Sequence, residues 1–364
     1  MSCRPEKLQV AVSYGLPAVA LAVVLSLSSC EAGGPASSIA GFVSDCPQRN
    51  WEACRRRDNS LDRASIESFQ RMLDRAFDDA YSVSSLRKST TKEQFERLIV
   101  RDPTTAFLFD STTSFRTGKA IRTIRTSSET FATISKITIA RHLARLPRFS
   151  DSWLAKYLLF IRKTPDGTVI IDPLRASGLV SREGKATPGV PDFTPAIREG
   201  IEDTHAVITF MVGHELYHLE RPLVCAGSAE QCNALRREDE ANADGYSVQI
   251  LHSLELKDPS GGYRLAIPAY VFSQLMLTME GSTGRSPIVG GQHPPNHERL
   301  RSAALAIRAW CDSNPSDASS AADRDLADSA LKIVADIDRE TPSKYFSAVD
   351  AEASAVTLAS LKIY

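Results

Sequence analysis

Residues 213–220 read Gly-His-Glu-Leu-Tyr-His-Leu-Glu, and this octet restricts the fold more than any other stretch of the chain. On an α-helix, positions i and i+4 lie on one face about 6 Å apart along the axis, so the imidazoles of His214 and His218 can converge on one ion. Neutral imidazole nitrogens suit Zn²⁺, which favours four-coordinate sites. Glu215 follows about 100° further round the helix. Its carboxylate can hang beside the open position of a metal without ligating it, where a general base belongs. The alternative is an amphipathic helix that carries two surface histidines. Phe210, Met211, Val212, Leu216 and Leu219 surround the pair, and that density of apolar side chains argues for a buried helix whose polar groups need partners.

A third ligand has to come from elsewhere. Further along, the chain reads Glu240-Ala241-Asn242-Ala243-Asp244 within a stretch of helical spacing. Glu240 and Asp244 share a face by the i, i+4 rule, and the alanines between them would let this helix approach the first closely. In the functional reading Glu240 is the third ligand, and Asp244 accepts the outer N–H of a ligand histidine and so fixes its tautomer. In the other reading Glu238, Asp239, Glu240 and Asp244 form a solvated acidic patch.

The rest of the chain reads as follows. From residue 46 to about 148 the pattern is helical, with Ile66, Phe69, Leu73, Ala76 and Ala80 at helix spacing as one core-facing stripe. Between Arg116 and Arg148 the basic residues Arg116, Lys119, Arg122, Arg125, Lys136, Arg141, Arg145 and Arg148 meet only Glu129 as an acid. Such a run is either a solvated helix face or a face that rests on anionic lipid headgroups. Two apolar stretches, Tyr157 to Ile161 and Thr168 to Ile171, flank Thr164-Pro165-Asp166-Gly167 and predict a β-hairpin. Leu179 to Glu199 is rich in Pro and Gly and predicts a loop, followed by a helix capped at Asp203 that runs to Pro222. Further helices are expected over 233–254, 266–280 and from His293 onward, where prolines sit in the first turn. Gly281 to Gln292 is a second loop, Ser313 to Ala322 a polar linker, and two helices end the chain. The fold class is therefore α+β, mostly α.

The N-terminus reads as an export segment. Arg4 and Lys7 precede an apolar run from Val10 to Ser29 that ends at Cys30. Leu27-Ser28-Ser29-Cys30 resembles the lipobox of bacterial lipoprotein signal peptides, which implies that Cys30 carries a diacylglycerol. An uncleaved single membrane span is the alternative, since about 20 apolar residues suffice to cross a bilayer. The following Gly/Ala/Ser/Pro-rich stretch reads as a tether of about 20 Å root-mean-square reach. Export would place the chain where disulfides persist, making Cys46/Cys54 and Cys225/Cys232 candidate pairs, with free thiols as the alternative. Lys plus Arg (43) nearly balances Asp plus Glu (44), so composition offers no case for nucleic-acid binding.

With these residues in place, "HELYH", "EANAD" and "HPPNHER" together resemble the signature of gluzincin metallopeptidases of the HtpX and CAAX prenyl endopeptidase family: His-Glu-x-x-His, Glu-x-x-Ala-Asp and His-Pro-x-x-x-x-Arg, in that order. The hairpin followed by Gly178-Leu179 is also similar to the family's substrate-holding edge strand. The resemblance spans roughly 155–312. It implies a zincin-like catalytic domain with a small β-sheet or hairpin, flanked by helical N- and C-terminal segments. It also implies Zn²⁺ held by His214, His218 and Glu240, with Glu215 as general base and Asp244 behind a ligand. On the third motif, Arg299 would pair with a carboxylate and His293 would assist the oxyanion, or both would cap helices. Tyr217 stands where the family has a small residue, which could narrow the cleft or place a phenol near the site, and the long stretch 179–199 suggests a lid.

The expected organisation is a signal peptide over 1–29, a tether over 30–45, a helical region over 46–150, a metallopeptidase domain over 151–312 and C-terminal helices over 313–364. The expected function is a lipid-anchored zinc endopeptidase that acts on protein or peptide substrates in the bacterial cell envelope. Two alternatives stand beside it: a zinc-binding scaffold without hydrolysis, and a peptidase blocked by loop 179–199 or 281–292. The N-terminal helical region would offer a surface to a protein partner.

Overall fold

The computed structural model describes residues 59–100, 109–116, 119–149, 152–163, 173–179, 186–190, 192–259, 263, 296–315 and 320–340. The export segment with Cys30, the tether, Cys46, Cys54, the turn 164–167, the stretch 168–171, the helix expected over 266–280, loop 281–292, His293 and the last C-terminal helix lie outside the described residues. Among the described residues no helix is long and apolar enough to cross a membrane.

Helix α1 (Asn59–Val83) buries Phe69, Leu73, Ala76, Phe77 and Ala80. These recur three and four residues apart, so one stripe faces the core as expected. The chain then departs from the helical expectation and forms three strands, β1 (Phe95–Val100), β2 (Phe109–Arg116) and β3 (Lys119–Ser127). Their spatial order is β1-β3-β2, with β1 parallel and β2 antiparallel to β3. The physical reason is side-chain shape. Ile121, Thr123, Ile124 and Thr126 are β-branched, and along the end of β3 buried Ile124 and Thr126 alternate with exposed Arg125. The period is two, and residue type hid it among basic side chains.

The basic run is therefore not one helical face. Arg125 pairs with Asp110 across the hairpin, and Arg141 is buried against Asp203. At the end of β3, Ser127 accepts a hydrogen bond from the Thr130 N–H and starts α2 (Ser128–Leu143). A second correction concerns Tyr157 to Ile161, expected as a strand but contained in α3 (Ser152–Lys163). Trp153 and Tyr157 stack one turn apart, both buried, and that i, i+4 pair decides for helix. A single helical turn, Pro173–Ala176, leads to Gly178, whose φ of +67° suits the residue without a Cβ.

Helix α4 (Thr194–Glu220) is the central element and packs on α1, α2 and β2. It begins well before Asp203, with Pro195 in its first turn, where a missing N–H costs nothing. Asp203 is thus no cap. It lies inside the helix, 3% exposed, and accepts hydrogen bonds from Arg141 and His142 of α2. Gly200 lets the two helices touch, since a Cβ there would sit 2.7 Å from the Ile139 Cα.

The remaining helices are α5 (Ala229–Lys257), α6 (Asn296–Ser313) and α7 (Ser320–Glu340). α5 packs on α4 and α6, and α7 packs on α6. Cys225 and Cys232 form a disulfide at the corner between α4 and α5, and Cys311 is a buried free thiol. The protein is α+β and mostly α. Among the described residues the small sheet comes from 95–127, while the first arm of the hairpin expected from Tyr157 is helical and its second arm lies outside the described residues.

Candidate metal centre

Helices α4 and α5 are antiparallel neighbours. Gly213 faces Ser247 and Ile250, His214 meets Asp244, and one turn further on His218 meets Asp239. Small residues hold this approach. A Cβ on Gly213 would stand 3.3 Å from the Ser247 Cα, and Ala243 is fully buried in the same contact.

Three side chains converge at the crossing. The two Nε2 atoms of His214 and His218 are 3.0 Å apart. Glu240 brings one carboxylate oxygen to 3.3 Å from His214 Nε2 and the other to 3.4 Å from His218 Nε2. These ligand atoms form the one group among the described residues that could hold a metal ion, and Glu215 is not part of it. Ligands about 2.0–2.1 Å from a tetrahedral ion stand about 3.3 Å from one another. The neighbouring donor atoms stand at about that spacing, with each Nε2 facing a different Glu240 oxygen, and one ligand atom from each of the three residues lies within 4.8 Å of the others.

Protons give a second test of fit. The Nδ1–H of His214 donates to Asp244 at 2.9 Å, and the Nδ1–H of His218 donates to Asp239 at 2.9 Å. Each ring then turns its Nε2 inward, towards the other ring and the Glu240 carboxylate. Two ring nitrogens and a carboxylate this close need a positive charge among them, a shared proton or a metal cation. The donor set could hold a metal ion.

Charges around the centre follow the same logic. Burial opposes charging the His214 ring, yet the Asp244 and Glu240 carboxylates outweigh it and raise its pKa to about 10. Burial would raise Asp244, but the Arg299 guanidinium and His214 win and lower it to about 2. Arg299, in the first turns of α6, closes on Asp244 through two bonds of 2.9 and 3.0 Å and stands 3.6 Å from Glu240. Of the roles considered for Arg299, ion pairing is the one formed. Its own pKa rises, because the carboxylates around it outweigh the burial.

Glu215 lies on α4 between the two histidines and is 7% exposed. Burial pushes its carboxyl above the usual range, against the pull of His214 and a hydrogen bond from Ser111. The Ser111 hydroxyl of β2 also stands 3.5 Å from the Glu215 carbonyl oxygen. In the register Ser111 faces Ile124, the buried centre of β3, so the sheet lies directly over this stretch of α4. Among the described residues no strand pairs with the outer edge of β2.

The geometry thus brings together His214, His218, Glu240, Asp244 and Arg299, with Glu215 beside them, and His293 lies outside the described residues. The Tyr217 ring stands edge-on to the His218 ring, with centroids 5.8 Å apart, so a phenol does lie near the site. Tyr217 is 6% exposed and packs on Tyr246 of α5 and on the Arg221 guanidinium. Two residues were missed. Ser111 carried no signal, since its strand was read as helix. Asp239 figures in the sequence only as a member of the alternative acidic patch, but two antiparallel helices imply its role. If His214 is backed by Asp244, then His218, one turn later, must be backed about one turn earlier on α5. Comparison of the chain with family models, with curated proteins and with solved structures gave no match.

Proposed function

We propose that the protein is a zinc-dependent endopeptidase whose centre is His214, His218 and Glu240, with Glu215 as the proton-transferring group. The observation that carries this reading is the convergence of the two Nε2 atoms and the Glu240 carboxylate, with neighbouring donor atoms 3.0–3.4 Å apart and a nearby carboxylate, Glu215, left out of the group. When bound, zinc supplies a Lewis acid that polarises a carbonyl and makes a water nucleophilic near neutral pH. Glu215 takes the proton of the attacking water and delivers it to the leaving amine nitrogen. Asp244 and Asp239 hold the two imidazoles in the tautomer that leaves Nε2 free. Arg299 keeps Asp244 ionised and in place. The outer edge of β2 is a row of backbone donors and acceptors beside Glu215, suited to an extended peptide laid alongside it.

The resemblance of "HELYH", "EANAD" and "HPPNHER" to the HtpX and CAAX prenyl endopeptidase motifs supports the same chemistry and a zincin-like arrangement. The apolar N-terminal run ending at Cys30 supports a lipid-anchored protein of the bacterial cell envelope, acting on protein or peptide substrates there.

The test combines metal analysis of the purified protein with cleavage of an unstructured protein such as casein. The expected result is about one zinc per chain, and cleavage that Glu215→Gln lowers by two or more orders of magnitude without loss of zinc, since general base catalysis contributes about 10²–10⁴-fold. Equal cleavage by wild type and Glu215→Gln, or a zinc-loaded wild type that cleaves nothing, would replace the peptidase by the scaffold reading.

A further inference from the structure

We infer that Asp239 is a positioning residue of the metal centre that sets the orientation and donor strength of His218, and that it supplies the negative charge which matches the site to a divalent ion. The inference rests on the metal centre proposed above.

Geometry comes first. The Asp239 carboxylate accepts the Nδ1–H of His218 at 2.9 Å, which fixes the tautomer and aims Nε2 at His214 and Glu240. Asp239 directly precedes Glu240 on α5. One turn of helix therefore carries both a ligand and the residue that orients a second ligand, so the spacing of His218 and Glu240 about the ion is set by a single rigid unit.

Charge comes second, and here the two histidines differ. Asp244, behind His214, is held by both arms of Arg299. That pair is close to neutral, so it orients His214 without adding net charge. The Asp239 side chain is 14% exposed and pairs with His218. Its charge is passed to the imidazole, which makes His218 the more strongly donating ring. Arg299 offsets Asp244, so Glu240 and Asp239, with Glu215 when it is ionised, carry the uncompensated negative charge that a divalent cation offsets. Without Asp239 the ion would sit in a site one charge short, and the His218 ring would be free to rotate.

The measurement is the dissociation constant for Zn²⁺ of the full chain, determined by competition with a chromophoric chelator. It is made for wild type, Asp239→Asn, Asp239→Ala and Asp239→Glu, beside the thermal midpoint of each metal-free protein. The expected outcome is a 10–100-fold loss of Zn²⁺ affinity in Asp239→Asn and Asp239→Ala, the range found when the outer partner of a ligand histidine is removed. Metal-free midpoints should stay within about 2 °C of wild type, and Asp239→Glu should recover part of the affinity. A second readout is the visible absorption of the Co²⁺-loaded proteins, whose ligand-field bands shift in Asp239→Asn because His218 becomes a weaker donor.

Wild-type affinity and an unshifted Co²⁺ spectrum in Asp239→Asn overturn the inference while leaving the metal centre standing. Lower metal-free midpoints that track the affinity loss, with no recovery in Asp239→Glu, also overturn it, because Asp239 would then be only structural. A wild-type chain that binds neither Zn²⁺ nor Co²⁺ removes the metal centre itself, and the inference with it.

Discussion

The two halves of the metal centre are built differently. On the inner side, His214 is backed by Asp244, 2% exposed and clamped by Arg299 from a third helix. On the outer side, His218 is backed by Asp239, which sits where α5 emerges from its exposed start. Residues 221–238 are exposed or half-buried throughout, held by the Ser228–Gln231 capping box and the Cys225–Cys232 disulfide. The inner half is tied to the core, so its geometry and the stability of the fold are one property. The outer half is tied to a local corner, and its geometry can fail while the fold persists.

The sharpest way to break this contrast is to remove one carboxylate from each half. Asp244→Ala strands the buried Arg299 guanidinium and takes the partner from His214. Breaking a buried ion pair from one side costs about 3–5 kcal/mol. A chain of this size should then lose about 4–7 °C in thermal midpoint even without metal. Asp239→Ala removes a partly exposed pair, and its metal-free midpoint should move by the equivalent of less than about 1 kcal/mol. Equal losses in the two variants, read by thermal unfolding in the presence of a chelator, would erase the distinction.

Next in size is the disulfide. Closing so short a loop is worth about 2–3 kcal/mol to the segment it closes. That segment is the corner and the first turns of α5, so reduction by a dithiol, or the double variant Cys225→Ser/Cys232→Ser, should act locally. Amide exchange should speed up over 229–238 while the buried stretch 204–217 of α4 keeps its protection. Zn²⁺ affinity should fall several-fold because fraying reaches Asp239 before Glu240. Faster exchange spread evenly over α4 and α5 would mean that the corner is part of the core.

Two glycines test the contrast within α4. A Cβ at Gly200 meets the backbone of Ile139 at 2.7 Å, so Gly200→Ala should destabilise by about 1–3 kcal/mol as α2 is pushed off. A Cβ at Gly213 meets Ser247 and Ile250 at 3.3 Å, a contact that a shift of a few tenths of an ångström relieves. That shift moves α5, and with it Glu240, away from the histidines. Gly200→Ala should therefore lower the thermal midpoint with unchanged Zn²⁺ affinity, and Gly213→Ala should lower the affinity more than the midpoint. The reverse ranking would mean that the α4–α5 spacing does not set the centre.

The centre was legible in the sequence to the extent that it obeys helix periodicity. His214 with His218, and Glu240 with Asp244, are same-face pairs, and that spacing survives any arrangement of the helices. Asp239 was not legible as a partner of His218, because it depends on the antiparallel register of α4 and α5, which no single-helix pattern carries. The sheet was lost for another reason. Strands β2 and β3 carry Arg116, Lys119, Arg122 and Arg125, and the charges masked an alternation of period two among Ile and Thr. Tyr157 to Ile161 failed the opposite way, as a short apolar run that fits a strand or a buried helix equally well until Trp153 is seen stacked on Tyr157. At the start of α4, Pro195 read as a breaker when it marks the first turn.

The smallest effect belongs to the cap. The Ser228 hydroxyl accepts the Gln231 N–H at 3.3 Å, and the Gln231 side chain accepts the Ser228 N–H at 2.9 Å, so two free donors at the start of α5 are satisfied by each other. Ser228→Ala should cost about 1 kcal/mol. That cost bears on the same exposed turns that the disulfide holds, so the two perturbations should not add. With the disulfide intact, the variant should leave Zn²⁺ affinity within about twofold of wild type. After reduction the same substitution should weaken it further, because nothing else then restrains the turns before Asp239. A Ser228→Ala effect of the same size in oxidised and reduced protein would show that cap and disulfide act on separate parts of the corner, and that α5 is held at Asp239 by its packing on α4 alone.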